Sequence, residues 1–268
     1  NQSRRQRQMC IRDRSKVKLQ EVCNLVSKDE SVEWIKRDGL HFGETTIPVY
    51  GMAADHAEFL ITHYTPEGGI ILDPFMGRAT NGFACLEHGR KFIGYDVFDK
   101  NVSRTKEVMD EYYPDSDYQL FHSDGTELAE LSDKSEYLDG VVADPPYFLK
   151  CERYSTDERD LSGMSHEEQM DKMKNCFKQI YRLIKTSNFD EKIFYPVIFK
   201  VTHARKGTRG IIDMDMEFQK IAHEVGFVTW DKLFNQLHSP WGTVNWERNY
   251  INKYVQKNYE VNLTFVKF

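Results

Sequence analysis

The chain has little that would tie it to a membrane, a metal or an oxidising compartment. No apolar run approaches the roughly 20 residues that a bilayer-crossing helix requires, so a soluble protein with no membrane partner is expected. The first residues also lack the apolar stretch of a signal peptide. Five cysteines, Cys10, Cys23, Cys85, Cys151 and Cys176, make no C-x-x-C pair and no His-Cys cluster at zinc spacing. They read as inert small hydrophobes in a reducing cytoplasm, with no metal site. A G-x-G-x-x-G fingerprint is missing too, which argues against the pyrophosphate of a dinucleotide.

Positive charge is scarce outside one end. Net charge is −6, yet residues 1–20 hold seven Arg or Lys against one Asp, leaving the other 248 residues at −12. Nucleic-acid binding then depends on a local basic strip, because affinity comes from counterions released at the contact rather than from the global sum.

What is present suits one large α/β domain. At 268 residues with 40% hydrophobic and 29% charged composition, the chain can bury a substantial core. Residues 1–14, rich in Arg and Gln without apolar periodicity, read as a disordered or non-native basic tail. Residues 15–48 form an N-terminal preface with a short helix over 17–26, and 49–268 the main domain. Within it, periodicity predicts helix over 55–64, then strand 69–73, helix 81–88 and strand 91–95, with Gly89 breaking between them. Asp99 or Asn101 can cap a helix to Tyr112, and strands follow at 118–122 and 138–143. Ser165 and Glu168 make a capping box for a helix to about Ile184 whose Met170, Met173, Phe177, Ile180, Tyr181 and Ile184 form a core stripe. A strand at 193–201, a helix at 215–225 and strands near 228–233 and 261–268 close the chain. This alternation predicts a doubly wound, mostly parallel sheet.

Ligands of such sheets sit beyond the carboxyl ends of the strands. Each of the first four predicted strands ends near an acid: Asp73, Asp96, Asp124 and Asp144. The turn Asp73-Pro74-Phe75-Met76-Gly77-Arg78-Ala79-Thr80 lets backbone approach a ligand at Gly77 and opens a helix with free N–H groups. Asp96, followed by Val97, is placed to accept ribose hydroxyls, and Asp124 to accept from an adenine amine. A ligand with a carboxylate, a ribose and an adenine but no pyrophosphate is S-adenosylmethionine.

The segment Val141-Val142-Ala143-Asp144-Pro145-Pro146-Tyr147 reads as a buried strand carrying an acid, two prolines and a ring to its end. Asp144 can accept a hydrogen bond from an exocyclic amine, the proline-fixed backbone offers a steady carbonyl, and Tyr147 can stack on a base. The two acids Asp73 and Asp144 lie 71 residues apart.

On these motifs the chain resembles the amino-methylating DNA methyltransferases, the N6-adenine and N4-cytosine family, over roughly residues 46 to 268. Asp73-Pro74-Phe75-Met76-Gly77 is similar to the family's cofactor loop, Phe92-Ile93-Gly94-Tyr95-Asp96 to its ribose-binding strand, and Asp144-Pro145-Pro146-Tyr147 to its catalytic tetrapeptide. The resemblance implies a Rossmann-like methyltransferase sheet with an antiparallel C-terminal strand, S-adenosyl-L-methionine as cofactor, DNA as partner, a base rotated out of the helix, and a prokaryotic or phage-infected cell. The DPP form is similar to the adenine branch. Where the family often carries a second glycine, this chain has Ala79, which keeps the turn on the condition of a negative φ.

Target recognition falls to inserted loops: 148–163 with Lys150, Arg153, Tyr154 and Arg159; 202–210, where Arg205, Lys206 and Arg209 continue a strip begun by Lys200 and His203; and 235–258, with Trp241 and Trp246 among its cations. Cytosine-N4 methylation, guanine-N2 methylation of RNA, and a cofactor-binding subunit without catalysis stay open as alternatives. So do a homodimer, a restriction nuclease partner, and an orphan or phage-borne role.

Overall fold

The computed structural model describes residues 54–146, 157–202, 204–205, 211–236 and 259–268, together with 19, 22, 23 and 155. The tail, nearly all of the preface and most of the 235–258 stretch lie outside them.

Helix α1 (Ala54–Tyr64) leads into β1 (Ile70–Asp73), α2 (Thr80–Glu87), β2 (Lys91–Asp96), α3 (Asp99–Tyr112), β3 (Tyr118–His122) and β4 (Gly140–Ala143). Then come α4 (His166–Leu183), β5 (Val197–Val201), a two-residue pair β6 (Ala204–Arg205) and β7 (Ile211–Ile212), α5 (Met214–Val225), β8 (Val228–Gln236) and β9 (Tyr259–Val266). Seven strands form one sheet in the order β3-β2-β1-β4-β5-β9-β8. The strands β1 to β5 are mutually parallel. Strand β9 runs antiparallel between β5 and β8. The expected architecture is therefore present, including the reversed C-terminal strand.

The inner strands β1, β2, β4, β5 and β9 are buried on both faces, and their alternation sorts side chains between two helical layers. Ile71, Phe92, Val142 and Ile198 face a core made with Leu60 and Ile61 of α1, Phe83 and Cys85 of α2, and Met109 of α3. Leu72, Ile93, Val141, Val197 and Phe199 face the opposite core, filled by Met173, Phe177 and Ile180 of α4 and Phe218 of α5. The same period of two sends Asp73, Asp144 and Lys200 to the side of α1 and α2.

Four local expectations are corrected. Helix α3 has Phe98, not Asp99 or Asn101, at its N-cap, with no side-chain cap. Asp96 sets that turn instead, its Oδ1 accepting from the Phe98 N–H at 2.7 Å. Strand β5 begins at Val197 because Pro196 has no N–H to give to a ladder. Strand β4 begins at Gly140, where Leu138 makes only an isolated bridge to Ile184. Ala79 adopts φ 56°, ψ 37°, so the negative φ set as its condition is not met. The capping box of α4 is in place, with Glu168 N donating to Ser165 Oγ at 3.3 Å and Ser165 N donating to Glu168 Oε2 at 2.8 Å.

Candidate active site

The strand order reverses between β1 and β4, and the crevice outside that reversal is where open α/β sheets bind ligands. Asp73 closes β1, and Asp144 directly follows β4. With Leu72 beside Val141, the two acids leave neighbouring strands at one rim and on one face. Asp96 and Asp124 follow at the ends of β2 and β3, so all four predicted acids share that rim.

Asp73 is 2% exposed. Its Oδ1 accepts from the Phe75 N–H at 3.0 Å, and its Oδ2 from Asn81 Nδ2 at 2.8 Å. Asn81 also donates to the Val142 carbonyl at 3.2 Å, so one amide ties the two strand ends together. Burial pushes the Asp73 carboxyl up to about 7; the Asn81 and Phe75 hydrogen bonds oppose this, and the charges of Asp144 and Asp96 add to it. That electrostatic contact brings Asp73, Asp96 and Asp144 into one field.

The loop from Pro74 to Ala79 is held from three sides. Met76 N donates to the Tyr95 carbonyl at 2.9 Å. Gly77 N donates to Asp96 Oδ2 at 2.9 Å. The Pro74 carbonyl lies so close to Gly125 that a Cβ there would come within 1.8 Å of it, which makes glycine obligatory after Asp124. Gly77 sits at φ 51°, and a Cβ on it would meet nothing within 4 Å. The loop thus borders open space at the glycine the sequence singled out. Phe75 packs against the larger core.

Asp96 is half-exposed, but its oxygens are sunk in the loop, and burial pushes its carboxyl to about 7 against the hydrogen bonds it accepts. Besides the Phe98 and Gly77 N–H groups, Asn101 Nδ2 donates to Oδ2 at 3.3 Å. A carboxylate has about four lone-pair sites, so one remains, and two ribose hydroxyls would have to displace a loop contact. Val97 offers its carbonyl to His122 Nε2 at 3.1 Å. Asp124 is buried and largely committed. Its Oδ1 accepts from Thr126 N at 2.8 Å and Thr126 Oγ1 at 2.6 Å, and its Oδ2 faces Lys172 Nζ at 3.1 Å. It too keeps about one lone-pair site.

Asp144 contrasts with these. Its side chain is 18% exposed, and its Oδ2 pairs at 2.8 Å with Nζ of Lys200, which is only 3% exposed. Ala143 is in register with Phe199, so Asp144 and Lys200 are the next pair outward. Lys200 also reaches Glu260 Oε2 of β9 at 3.3 Å. Burial lowers the Lys200 ammonium, but the two carboxylates outweigh it and raise its pKa above the ordinary value. Lys200 is therefore no part of a phosphate-binding strip. The signals that could have found this trio are a lone lysine in the apolar run Val197-Ile198-Phe199-Lys200-Val201 and a lone acid in β9. Pro145 is buried and Pro146 half-buried beyond Asp144.

Tyr147, Lys150, Arg153, Lys206 and Arg209 lie outside the described residues, and Arg205 is described only in its backbone, paired with Ile211. The described half of the 148–163 loop packs on the domain. Buried Asp160 accepts from Ser155 N, Ser162 N and Ser162 Oγ at 2.7, 2.9 and 2.8 Å, and Leu161 joins the larger core. Arg159 folds back on Asp157, Nη2 to Oδ2 2.7 Å.

A family model described as DNA methylase matches residues 28–107, the stretch that holds the Asp73–Gly77 loop and Asp96. The resemblance read in the sequence is borne out. The match covers the cofactor half and stops before Asp144. No curated protein matches the chain. Among solved structures, the [4+2]-cyclase SpnF is similar at 12% identity and TM-score 0.54, over 80% of this chain and 81% of that one. An S-adenosylmethionine-dependent methyltransferase from Methanosarcina mazei is similar at 11% identity and TM-score 0.50, over 78% and 97%. At such identity these likenesses show the fold. Family match and fold together support an S-adenosylmethionine-dependent methyltransferase. The site fits that cofactor: an acidic rim for a cation, open space at Gly77, and acceptor capacity left on Asp96 and Asp124. No helix among the described residues is long and apolar enough to cross a membrane.

Proposed function

We propose that the chain methylates the exocyclic amine of a base turned out of DNA, with adenine N6 as the acceptor. The observation that carries this reading is the placing of Asp73 and Asp144 on one face at the reversal of strand order, with Pro145 and Pro146 extending the second strand into the crevice. When bound, S-adenosylmethionine supplies a methyl group on a sulfonium. Asp144 and the Pro145 carbonyl accept the amine's hydrogens and turn its lone pair toward that methyl, so the gain is positional and electrostatic. Asp144 needs no great basicity, because the amine turns acidic once methylated and then sheds its proton. Extruding the base costs a few kcal/mol. Stacking on Tyr147, worth about 1–3 kcal/mol, offsets much of it. The Asp-Pro-Pro form supports adenine over cytosine, and DNA is the partner that the family match favours.

The test is transfer of tritiated methyl from S-adenosylmethionine to duplex DNA, tRNA and rRNA. The expected result is incorporation into DNA as N6-methyladenine, falling on the order of 10³-fold in Asp144→Ala. Incorporation into RNA alone would replace DNA with the guanine-N2 reading. Undiminished transfer by Asp144→Ala would remove catalysis from this edge.

A further inference from the structure

A buried polar group surrounds the inner side of Asp144. Lys200 stands between Asp144 and Glu260, its Nζ 2.8 Å from the first and 3.3 Å from the second. All three side chains leave the strands on the face of α1. Strand β9 presents Glu260, Asn262 and Thr264 there, all buried, while Val261, Leu263 and Phe265 point to the opposite core. The ring of His56, from α1, closes the group. Asn235 Nδ2 donates to its Nδ1 at 2.8 Å, and Nε2 lies 3.3 Å from Asn262 Oδ1, which fits a neutral ring with its proton on Nε2. Burial and then the Lys200 charge lower the His56 pKa, in agreement.

An isolated lysine this deep would be costly, and even a paired one is a weak source of stability. Its place against a catalytic carboxylate gives it another use. We propose, on the reading of Asp144 given above, that Lys200 and Glu260 are positioning residues: the ammonium fixes Asp144 through Oδ2 and directs Oδ1 to the amine, and Glu260 balances the ammonium.

The charge arithmetic explains why two residues are needed. Asp144 with Lys200 alone is neutral and does little for an amine gaining positive charge as it attacks. Glu260 draws on the same ammonium from the other side, so that cation offsets Asp144 less, within groups that need not reorganise. Neutral His56 adds no charge of its own. Among the described residues, Asp144 Oδ1 accepts no other hydrogen bond, so the oxygen left for the amine is defined.

The test compares Lys200→Met, Lys200→Arg and the double variant Lys200→Met/Glu260→Gln, which removes the deeper carboxylate together with the cation and leaves only the more open Asp144 without it. In Lys200→Met, kcat for methyl transfer to DNA should fall about 10²-fold, the scale of losing one aligned group, with the Kd for S-adenosylmethionine within about twofold of wild type. The double variant should regain thermal stability but not kcat. Lys200→Arg should recover kcat to within about tenfold, since it restores a cation that can pair with Oδ2. A folded double variant with wild-type kcat overturns the proposal. So does a loss of kcat that only follows the loss of folded, cofactor-binding protein. Wild-type protein inactive on DNA, tRNA and rRNA alike would overturn the reading of Asp144 and this proposal with it. Equal kcat in wild type and double variant overturns this proposal alone.

Discussion

Asp73 and Asp144 end adjacent parallel strands and face one side of the sheet, yet the fold treats them in opposite ways. Asp73 is nearly inaccessible and is held, among the described residues, by neutral donors, the Phe75 N–H and the Asn81 amide. Its carboxyl is pushed to about 7 chiefly by burial. Asp144 is more open and has an ammonium built in against it. One strand end keeps a carboxyl whose charge an arriving cation would stabilise. The other has its cation already. On the function proposed above, the contrast suits the first to the cofactor and the second to a neutral amine.

The largest break in that contrast should come from stability. Removing the ammonium in Lys200→Met takes away the buried cation that Asp144 and Glu260 share and should cost about 3–5 kcal/mol in urea unfolding. Asp73→Asn should cost only about 1 kcal/mol. The new amide keeps an acceptor for Phe75 and, once the Asn81 amide turns over, donates to Asn81 Oδ1, which has no partner among the described residues. Equal costs would erase the distinction between the two acids.

Next in size is the response to pH. A carboxyl at about 7 in the folded chain and about 3.9 when unfolded makes the folded state hold more protons between those values. Stability without cofactor should therefore fall as pH rises from about 4 to about 7, and Asp73→Asn should flatten that slope. Asp96, pushed the same way, leaves a remainder. A slope unchanged in the variant would place the protons elsewhere.

The smallest effect concerns the loop between the two halves. A non-glycine residue in the left-handed region is strained, and Ala79→Gly should relieve that by roughly 1 kcal/mol in thermal unfolding. A destabilised variant would show that the buried Ala79 methyl outweighs its backbone strain.

The parts legible in the sequence were those set by local chemistry. Apolar runs ending in an acid marked β1, β2 and β4; β3 was read at its observed bounds; and Ser165 with Glu168 marked the start of α4. The rim of four acids followed from parallel topology alone. What escaped depends on contacts between distant segments. Lys200 looked like a surface cation until β9 brought Glu260 beside it and β4 brought Asp144. Gly125 carried no visible demand, because the Pro74 carbonyl that excludes a side chain comes from another strand end. The loop holding Arg159 was expected to face nucleic acid, and its described part is tied down by Asp160, whose turn the sequence reading did not weigh. Asp96 and Asp124 were rightly placed at the rim, but the hydrogen bonds that occupy them come from their own loops.

The division between the two strand ends is tested most directly by calorimetric titration of S-adenosylmethionine into wild type, Asp73→Asn and Asp144→Asn at pH 6 and pH 8. Wild type should bind more tightly at pH 8 than at pH 6 and release protons on binding at pH 6 but few at pH 8, since a cation favours the ionised carboxyls of Asp73 and Asp96. Asp144→Asn should bind as wild type does, and Asp73→Asn should lose most of the affinity and of the proton release. Binding lost in Asp144→Asn but kept in Asp73→Asn, or no binding by wild type at either pH, would contradict it.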